Sequence, residues 1–305
     1  MDADRESIDC PTCGPGEQVA LYDVDGWKIV RCHSCGLAMV NPRRQSAIKI
    51  YEDDAYFSDD RFYYDYAGNK RTYQIGFRSK LALIKEFCPH GGTLLDVGAA
   101  YGYFMEEATR FGFQPFGVEL SKAAAERAAA HGVVFNCALG DVETDQRFDV
   151  VTFVDSLEHF EQPLEGLQKA HALLKDDAIV AVMVPNIDSR FARLMGAKWH
   201  LILPEEHLFY FNRDSLKRML ARSGFDVVHM GTGGYGRSVS EILRVLTRGK
   251  SVHLGPIESF LGRMAFEVNL GDLFALGRKR ASSGHASGIE GRDEVFPLPG
   301  PRREP

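Results

Sequence analysis

Between residues 93 and 184 the chain alternates short apolar, β-branched runs with stretches of helical period, at the spacing of βαβ units. Strands are expected at Thr93 to Val97, Gln114 to Glu119, Val133 to Asn136, Phe148 to Val154 and Ala178 to Val184. Helices fit between them at Tyr101 to Phe111, in an alanine-rich stretch that Ser121 can cap, and near Leu164 to Leu174. Strands joined through helices run parallel, and a parallel sheet is covered on both faces. The fold class is therefore α/β, a doubly wound, mostly parallel sheet. Two later runs, Phe225 to Met230 and Asp272 to Gly277, bring the strands to seven.

The flanking segments divide the rest. A helix fits Asn69 to Phe87, with Ile75, Leu81, Ile84 and Phe87 as its apolar stripe, ended by Pro89 and the Gly91-Gly92 pair. Residues 69–280 form the main domain, and 42–68, crowded with Tyr, Phe and Asp, read as an aromatic linker or cap. The stretch 281–305 is rich in Gly, Ser, Pro and charge and is expected to be disordered. No run of eighteen apolar residues exists, so no membrane partner is expected. The acidic start MDADRESIDC does not read as a secretory signal, which makes a cytoplasmic location the expectation.

Residues 1–41 hold the most specific short motif. Cys10 and Cys13, in CPTCG, are followed after eighteen residues by Cys32 and Cys35, in CHSCG. Paired C-x-x-C units at this spacing predict a small zinc ribbon. Four thiolates leave no open position, so the zinc is expected to be structural. Cys88 and Cys137 stand alone and read as core residues.

The turn after the first strand reads TLLDVGAAYG. In an open parallel sheet the carboxyl ends of the strands form the ligand crevice. The G-x-G-x-x-G pattern of a dinucleotide site is absent, and so is the Gly-Lys-Ser/Thr of a phosphate loop. Asp96 would instead welcome a ligand ammonium, and Glu119, ending the second strand, can accept two ribose hydroxyls. Two acids without a phosphate device suit a cationic adenosine ligand such as S-adenosylmethionine. The plainer alternative is that Gly98 and Gly102 serve a tight turn and Asp96 caps a helix.

Downstream, FDVVTFVDSLEHFEQPLEGLQKAHALLKDDAIVAVMVP resembles the region after strand four of class I S-adenosylmethionine-dependent methyltransferases. The likeness extends over about Asn69 to Lys279 and is nearest the ubiquinone-biosynthesis and sugar-modifying members, many of which carry an N-terminal zinc module. It implies a Rossmann-like seven-stranded sheet and S-adenosylmethionine as cofactor. Asp96, Gly98 and Gly102 match the cofactor turn, and Glu119 the ribose acid. Gly140, Asp141 and Val142 match the adenine-flanking stretch, Asp155 the methionine end, and Arg78 an arginine near the cofactor carboxylate. Ala100 departs from the pattern, since many members have glycine there.

The acceptor is read more coarsely. Base-amine enzymes carry Asn-Pro-Pro-Tyr or Asp-Pro-Pro-Tyr after strand four, where this chain has VDSLEHF. Residues 1–50 hold six Lys or Arg against seven Asp or Glu, and the whole chain has net charge −6. A nucleic-acid partner therefore ranks below a small-molecule acceptor, with a hydroxyl of a sugar or secondary metabolite favoured and methylation of nitrogen or carbon a near alternative. A zinc-ribbon RNA methyltransferase is the runner-up, and a cofactor-binding module without catalysis is the third reading. A hydroxyl acceptor needs a base, and histidine is the usual one, with a reference pKa of about 6.5. His159 follows strand four beside Glu158, which could orient it. His207 lies in WHLILPEEHLFYF, an aromatic stretch expected to roof the acceptor together with YFSDDRFYYDY. Each also has a structural alternative: His159 as a turn residue under Phe160, His207 as a hydrogen-bonded loop residue.

Overall fold

The computed structural model describes residues 5–51, 67–238 and 265–280. The stretch YFSDDRFYYDY and residues 281–305 lie outside them. The main sheet has the spatial order β12-β13-β10-β9-β6-β7-β8. Its strands are β6 (Gly92–Val97), β7 (Phe113–Val118), β8 (Val133–Phe135), β9 (Phe148–Val154), β10 (Leu174–Pro185), β12 (Phe225–Ser238) and β13 (Ala265–Lys279). β13 runs antiparallel to β10 and to β12, and the remaining pairs are parallel. Seven strands, mostly parallel, is the expected Rossmann-like fold. The last two strands extend beyond the expected Phe225 to Met230 and Asp272 to Gly277.

Helices α1 (Lys70–Phe87), α2 (Tyr103–Arg110), α3 (Lys122–Ala128), α4 (Pro163–Leu173), α5 (Arg190–Met195) and α6 (Arg213–Arg222) complete the frame. Ser121 caps α3, accepting from the Ala124 N–H at 3.2 Å. Asn212 and Ser215 form a reciprocal cap at α6, satisfying two amide donors that helix starts leave open. Val150, Val151, Phe153, Val180, Ala181 and Val182 are fully buried, because the central strands are covered on both faces. Chain order reverses at β6, which has β7 on one side and β9 on the other. The crevice between their carboxyl ends is the position at which this architecture opens a ligand site.

The N-terminal region builds a second sheet: β2 (Gln18–Val24), β3 (Trp27–Cys32) and β4 (Ala38–Val40), beside a short pair of β1 (Arg5–Glu6) with β5 (Arg43–Arg44). Its fourth strand is β11 (Phe209–Tyr210), from the segment after β10, with Met39 opposite Phe209 and Ala38 opposite Tyr210. The aromatic roof expected of that segment is instead core. Trp199 is 2% exposed, donates to the Leu270 carbonyl at 2.9 Å and covers Gly271, while Phe209, Tyr210 and Phe211 are fully buried.

Candidate active site

At the end of β6, Gly98 has φ +83°, and a Cβ there would stand 2.9 Å from the Ser156 Cβ, so the turn requires glycine. The Gly98 and Ala99 amides both donate to the Val118 carbonyl, at 2.9 and 3.0 Å, tying the turn to β7. Ala100 follows at φ +48°, an L-residue held in the left-handed region. Its amide donates to Glu119 Oε2 at 2.8 Å, and the Ser121 amide donates to Oε1 at 2.9 Å. Each carboxylate oxygen thus accepts a backbone amide, the Leu120 amide adds to them, and the pair of oxygens keeps lone-pair capacity for a further donor. Burial raises the Glu119 pKa, opposed by these amide bonds.

A cavity of about 330 Å³ opens beside this turn. Gly98, Ala100, Glu119 and Leu120 line one end, with Cys137 to Gly140 next to them. Lys169 also reaches it and donates to the carbonyls of Gly140 and Val142 at 3.0 and 2.9 Å, fixing that loop. Asp155, at φ +51°, Ser156 and His159 line the β9 side, and Ile48 and Tyr51 close the wall from the N-terminal region.

Several residues expected here lie elsewhere. Asp96 is 3% exposed and absent from the cavity wall; Thr152 donates to it at 2.6 Å, and burial raises its pKa to about 7. It braces β6 against β9 rather than facing a ligand ammonium. Gly102 starts α2, and a Cβ there would meet Ala128 Cα at 2.9 Å, so its glycine serves helix packing. Arg78 points away, bidentate to Glu107 of α2 at 2.9 and 3.1 Å. Asp141 is exposed and Val142 buried, and it is Leu139 and Gly140 just before them that touch the cavity.

The two histidines also part. His159 lines the cavity, its Nδ1 2.6 Å from the Tyr51 hydroxyl and 3.0 Å from the Glu206 carbonyl. Burial lowers its pKa to about 4, against the carbonyls of Glu206 and Asp155, which favour the charged ring. His207 is 7% exposed and off the cavity wall, with Nδ1 2.9 Å from the Leu201 carbonyl. Its ring centroid lies 4.8 Å from that of His159, and burial, with a smaller contribution from that neighbouring imidazole, holds its pKa well below the usual histidine range. Its geometry is that of the hydrogen-bonded loop residue. Glu158 does not orient His159: it is 1% exposed, and among the described residues no donor reaches either oxygen. Burial raises its pKa well above the usual carboxylate range. Glu158, His159 and His207 place ligand-capable atoms within 4.8 Å of one another, a spacing that a cation can bridge.

Cys10, Cys13, Cys32 and Cys35 converge within the same 4.8 Å, and the sulfurs of Cys10 and Cys35 are 3.6 Å apart. Four sulfurs about 2.3 Å from a tetrahedral zinc stand about 3.8 Å from each other, so this set fits the ion.

The Gly98 turn and Glu119 stand at the switch point of this sheet, where an open α/β fold forms its ligand crevice, and the fold is that of a class I S-adenosylmethionine-dependent methyltransferase. Residues 69–230 match the methyltransferase domain family, and the chain belongs to that family. Its relatives include a mitochondrial ubiquinone biosynthesis O-methyltransferase of Schizosaccharomyces pombe, 29% identical over 42% of this chain and 52% of that protein. A ubiquinone biosynthesis O-methyltransferase of Nitrosospira multiformis is 26% identical over 56% of this chain and 76% of its own length. The chain thus spans about half the length of the first of these. Among solved structures, the fold resembles Burkholderia thailandensis 1,6-didemethyltoxoflavin-N1-methyltransferase with 1,6-didemethyltoxoflavin and S-adenosylhomocysteine bound. The TM-score is 0.52 and the identity 17%, over 86% of this chain and all of that one.

Sequence reasoning missed Tyr51, Lys169 and the wall from Cys137 to Leu139, and it anticipated Gly140. The C-x-x-C spacing gave no sign that the segment after the ribbon reaches β9.

Proposed function

We propose that the chain transfers the methyl group of S-adenosylmethionine to a hydroxyl of a small acceptor, a sugar or a phenolic secondary metabolite. The supporting observation is His159 in the cavity wall, fixed at Nδ1 by Tyr51 and the Glu206 carbonyl and unprotonated at neutral pH. The O-methyltransferase names of the relatives agree with that chemistry.

The cofactor supplies an electrophilic methyl on sulfur. Glu119 holds the ribose with its spare lone pairs, its carboxylate pre-set by the Ala100 and Ser121 amides. Apolar Ile48 and Phe160 keep water from the acceptor, while Tyr51 and the Glu206 carbonyl fix the His159 ring. His159 would take the proton of the acceptor hydroxyl, so aligning the acceptor and removing its proton would be the protein's share of the work.

The test is methyl transfer from radiolabelled cofactor to three acceptor sets: phenols and catechols, sugar nucleotides, and RNA. Product confined to the first two supports the reading, and label in RNA alone would replace it with the zinc-ribbon RNA methyltransferase. Turnover with none of them, with cofactor still bound, favours the non-catalytic module.

A further inference from the structure

The turn that carries His159 is held from the N-terminal region at three points. Arg43 is 4% exposed and donates through Nη1 to the Glu161 carbonyl at 2.7 Å, while Glu6 accepts from its Nε at 2.9 Å. The Ile48 amide donates to Glu161 Oε1 at 3.2 Å, and three residues on, Tyr51 meets His159. The third point is a backbone relay: Val40 N–H donates to the Leu208 carbonyl at 3.0 Å, and Leu208 N–H to the Glu158 carbonyl at 3.0 Å. Val40 ends the strand that leaves the Cys32–Cys35 knuckle, and Cys10, Cys32 and Cys35 share a core cluster with Leu208, Phe209 and Met219.

We propose that the cysteine module and residues 40–51 form the acceptor-side wall of the active site, with Arg43 and Tyr51 as positioning residues that act through Glu161 and His159. This rests on the methyl-transfer reading above. It assigns the zinc ribbon a task at the reacting end of the cofactor, not one of tethering or nucleic-acid contact. The partition follows from where the contacts fall. Among the described residues, the hydrogen bonds crossing from residues 5–51 land on 158–161, 188 and 206–222, whereas the Gly98 amide is held by β7 and the Glu119 carboxylate by the Ala100 and Ser121 amides. Loss of the module should therefore loosen acceptor geometry and leave the adenosine end in place.

Hydrogen exchange on the full-length protein tests this without a known acceptor. Arg43→Met and Cys32→Ser should each speed exchange of the amides in 157–162 and 206–211 by about tenfold or more, the scale of one lost charge-assisted hydrogen bond. Exchange in 93–102 and 117–121 should stay unchanged, as should calorimetric affinity for S-adenosylhomocysteine. Arg43→Lys should recover part of the protection, and Tyr51→Phe, which leaves the ribbon intact, should alter the His159 ring nitrogen resonances without metal loss. Faster exchange confined to 10–40 would overturn the proposal. So would loss of S-adenosylhomocysteine binding in Arg43→Met and Cys32→Ser alike, because the module would then support the whole domain. Failure of every hydroxyl acceptor would refute the proposed function and leave these exchange results standing.

Discussion

The Tyr51 hydroxyl stands 2.6 Å from Nδ1 of His159, a contact that joins residues 108 positions apart at the edge of the cavity. It fixes one ring nitrogen of a histidine that burial keeps neutral, and so leaves the ring poised for a single task.

His159→Ala should lower turnover by about 10²- to 10⁴-fold, the usual contribution of a general base. S-adenosylhomocysteine affinity, read by calorimetry, should stay within about twofold of the wild type, because the first contacts of His159 are Tyr51 and Glu206. His207→Ala should cost stability more than turnover, since His207 lies off the cavity wall. Equal losses of turnover in the two variants would contradict this division.

The pH profile separates the sequence expectation from the structural one. An ordinary histidine would give a rising limb near about 6.5. With its pKa lowered to about 4, His159 is already deprotonated there, and its limb moves to that value. Turnover between pH 6 and 8 should then carry no His159 titration, which a rate profile on any active acceptor will reveal.

Stability should respond to pH through Asp96 in the opposite sense to His159. The Asp96 pKa is raised to about 7, so its contribution is full below the unfolded value of about 3.9 and is lost as pH climbs through 7. His159, lowered to about 4, contributes above about 6.5 and loses that contribution as pH falls through 4. Because the windows overlap, denaturant unfolding of Asp96→Asn should isolate the first: its stability should no longer fall between pH 4 and 7. An unchanged slope would mean that Asp96 is ionised in the fold.

Glu119→Ala should weaken S-adenosylmethionine binding by about ten- to hundredfold, the loss of charge-assisted hydrogen bonds at one carboxylate. Arg78→Ala should leave that affinity alone, since Arg78 serves Glu107. Thermal stabilisation by the cofactor should track its concentration in both, by mass action. Stabilisation by NADH instead would sink the assignment.

Metal analysis should find zinc on the four-cysteine site, and Cys32→Ser should release it, because three thiolates and a hydroxyl hold zinc far more weakly than four thiolates. A second equivalent that persists in Cys32→Ser and disappears in Glu158→Gln would locate a cation at Glu158, His159 and His207.

Much of the frame was legible because it is local. The runs at Thr93 to Val97 and Phe148 to Val154 carry the apolar pattern of buried parallel strands, and Ser121 sits where a helix start needs an acceptor. What escaped depends on distant pairing. The Phe209–Tyr210 strand is too short for alternation to show, and its partner Ala38–Val40 lies about 170 positions earlier. Asp96 and Arg78 were misplaced for a related reason: a residue type at a motif position does not reveal which way its side chain leaves the backbone. Thr152 and Glu107, which claim those two side chains, are 56 and 29 positions away.

The pairing of Met39 with Phe209 also orders events during synthesis. A ribosome delivers β2, β3 and β4 early, but the fourth strand of their sheet emerges only after five strands of the main sheet. Until then β4 presents an open edge of unpaired backbone groups, the kind of surface that recruits the wrong strand from another chain. If the two knuckles hold zinc as their spacing predicts, early capture of the metal would keep that edge in register through the wait, and metal supply during translation would then govern the yield of correctly folded enzyme.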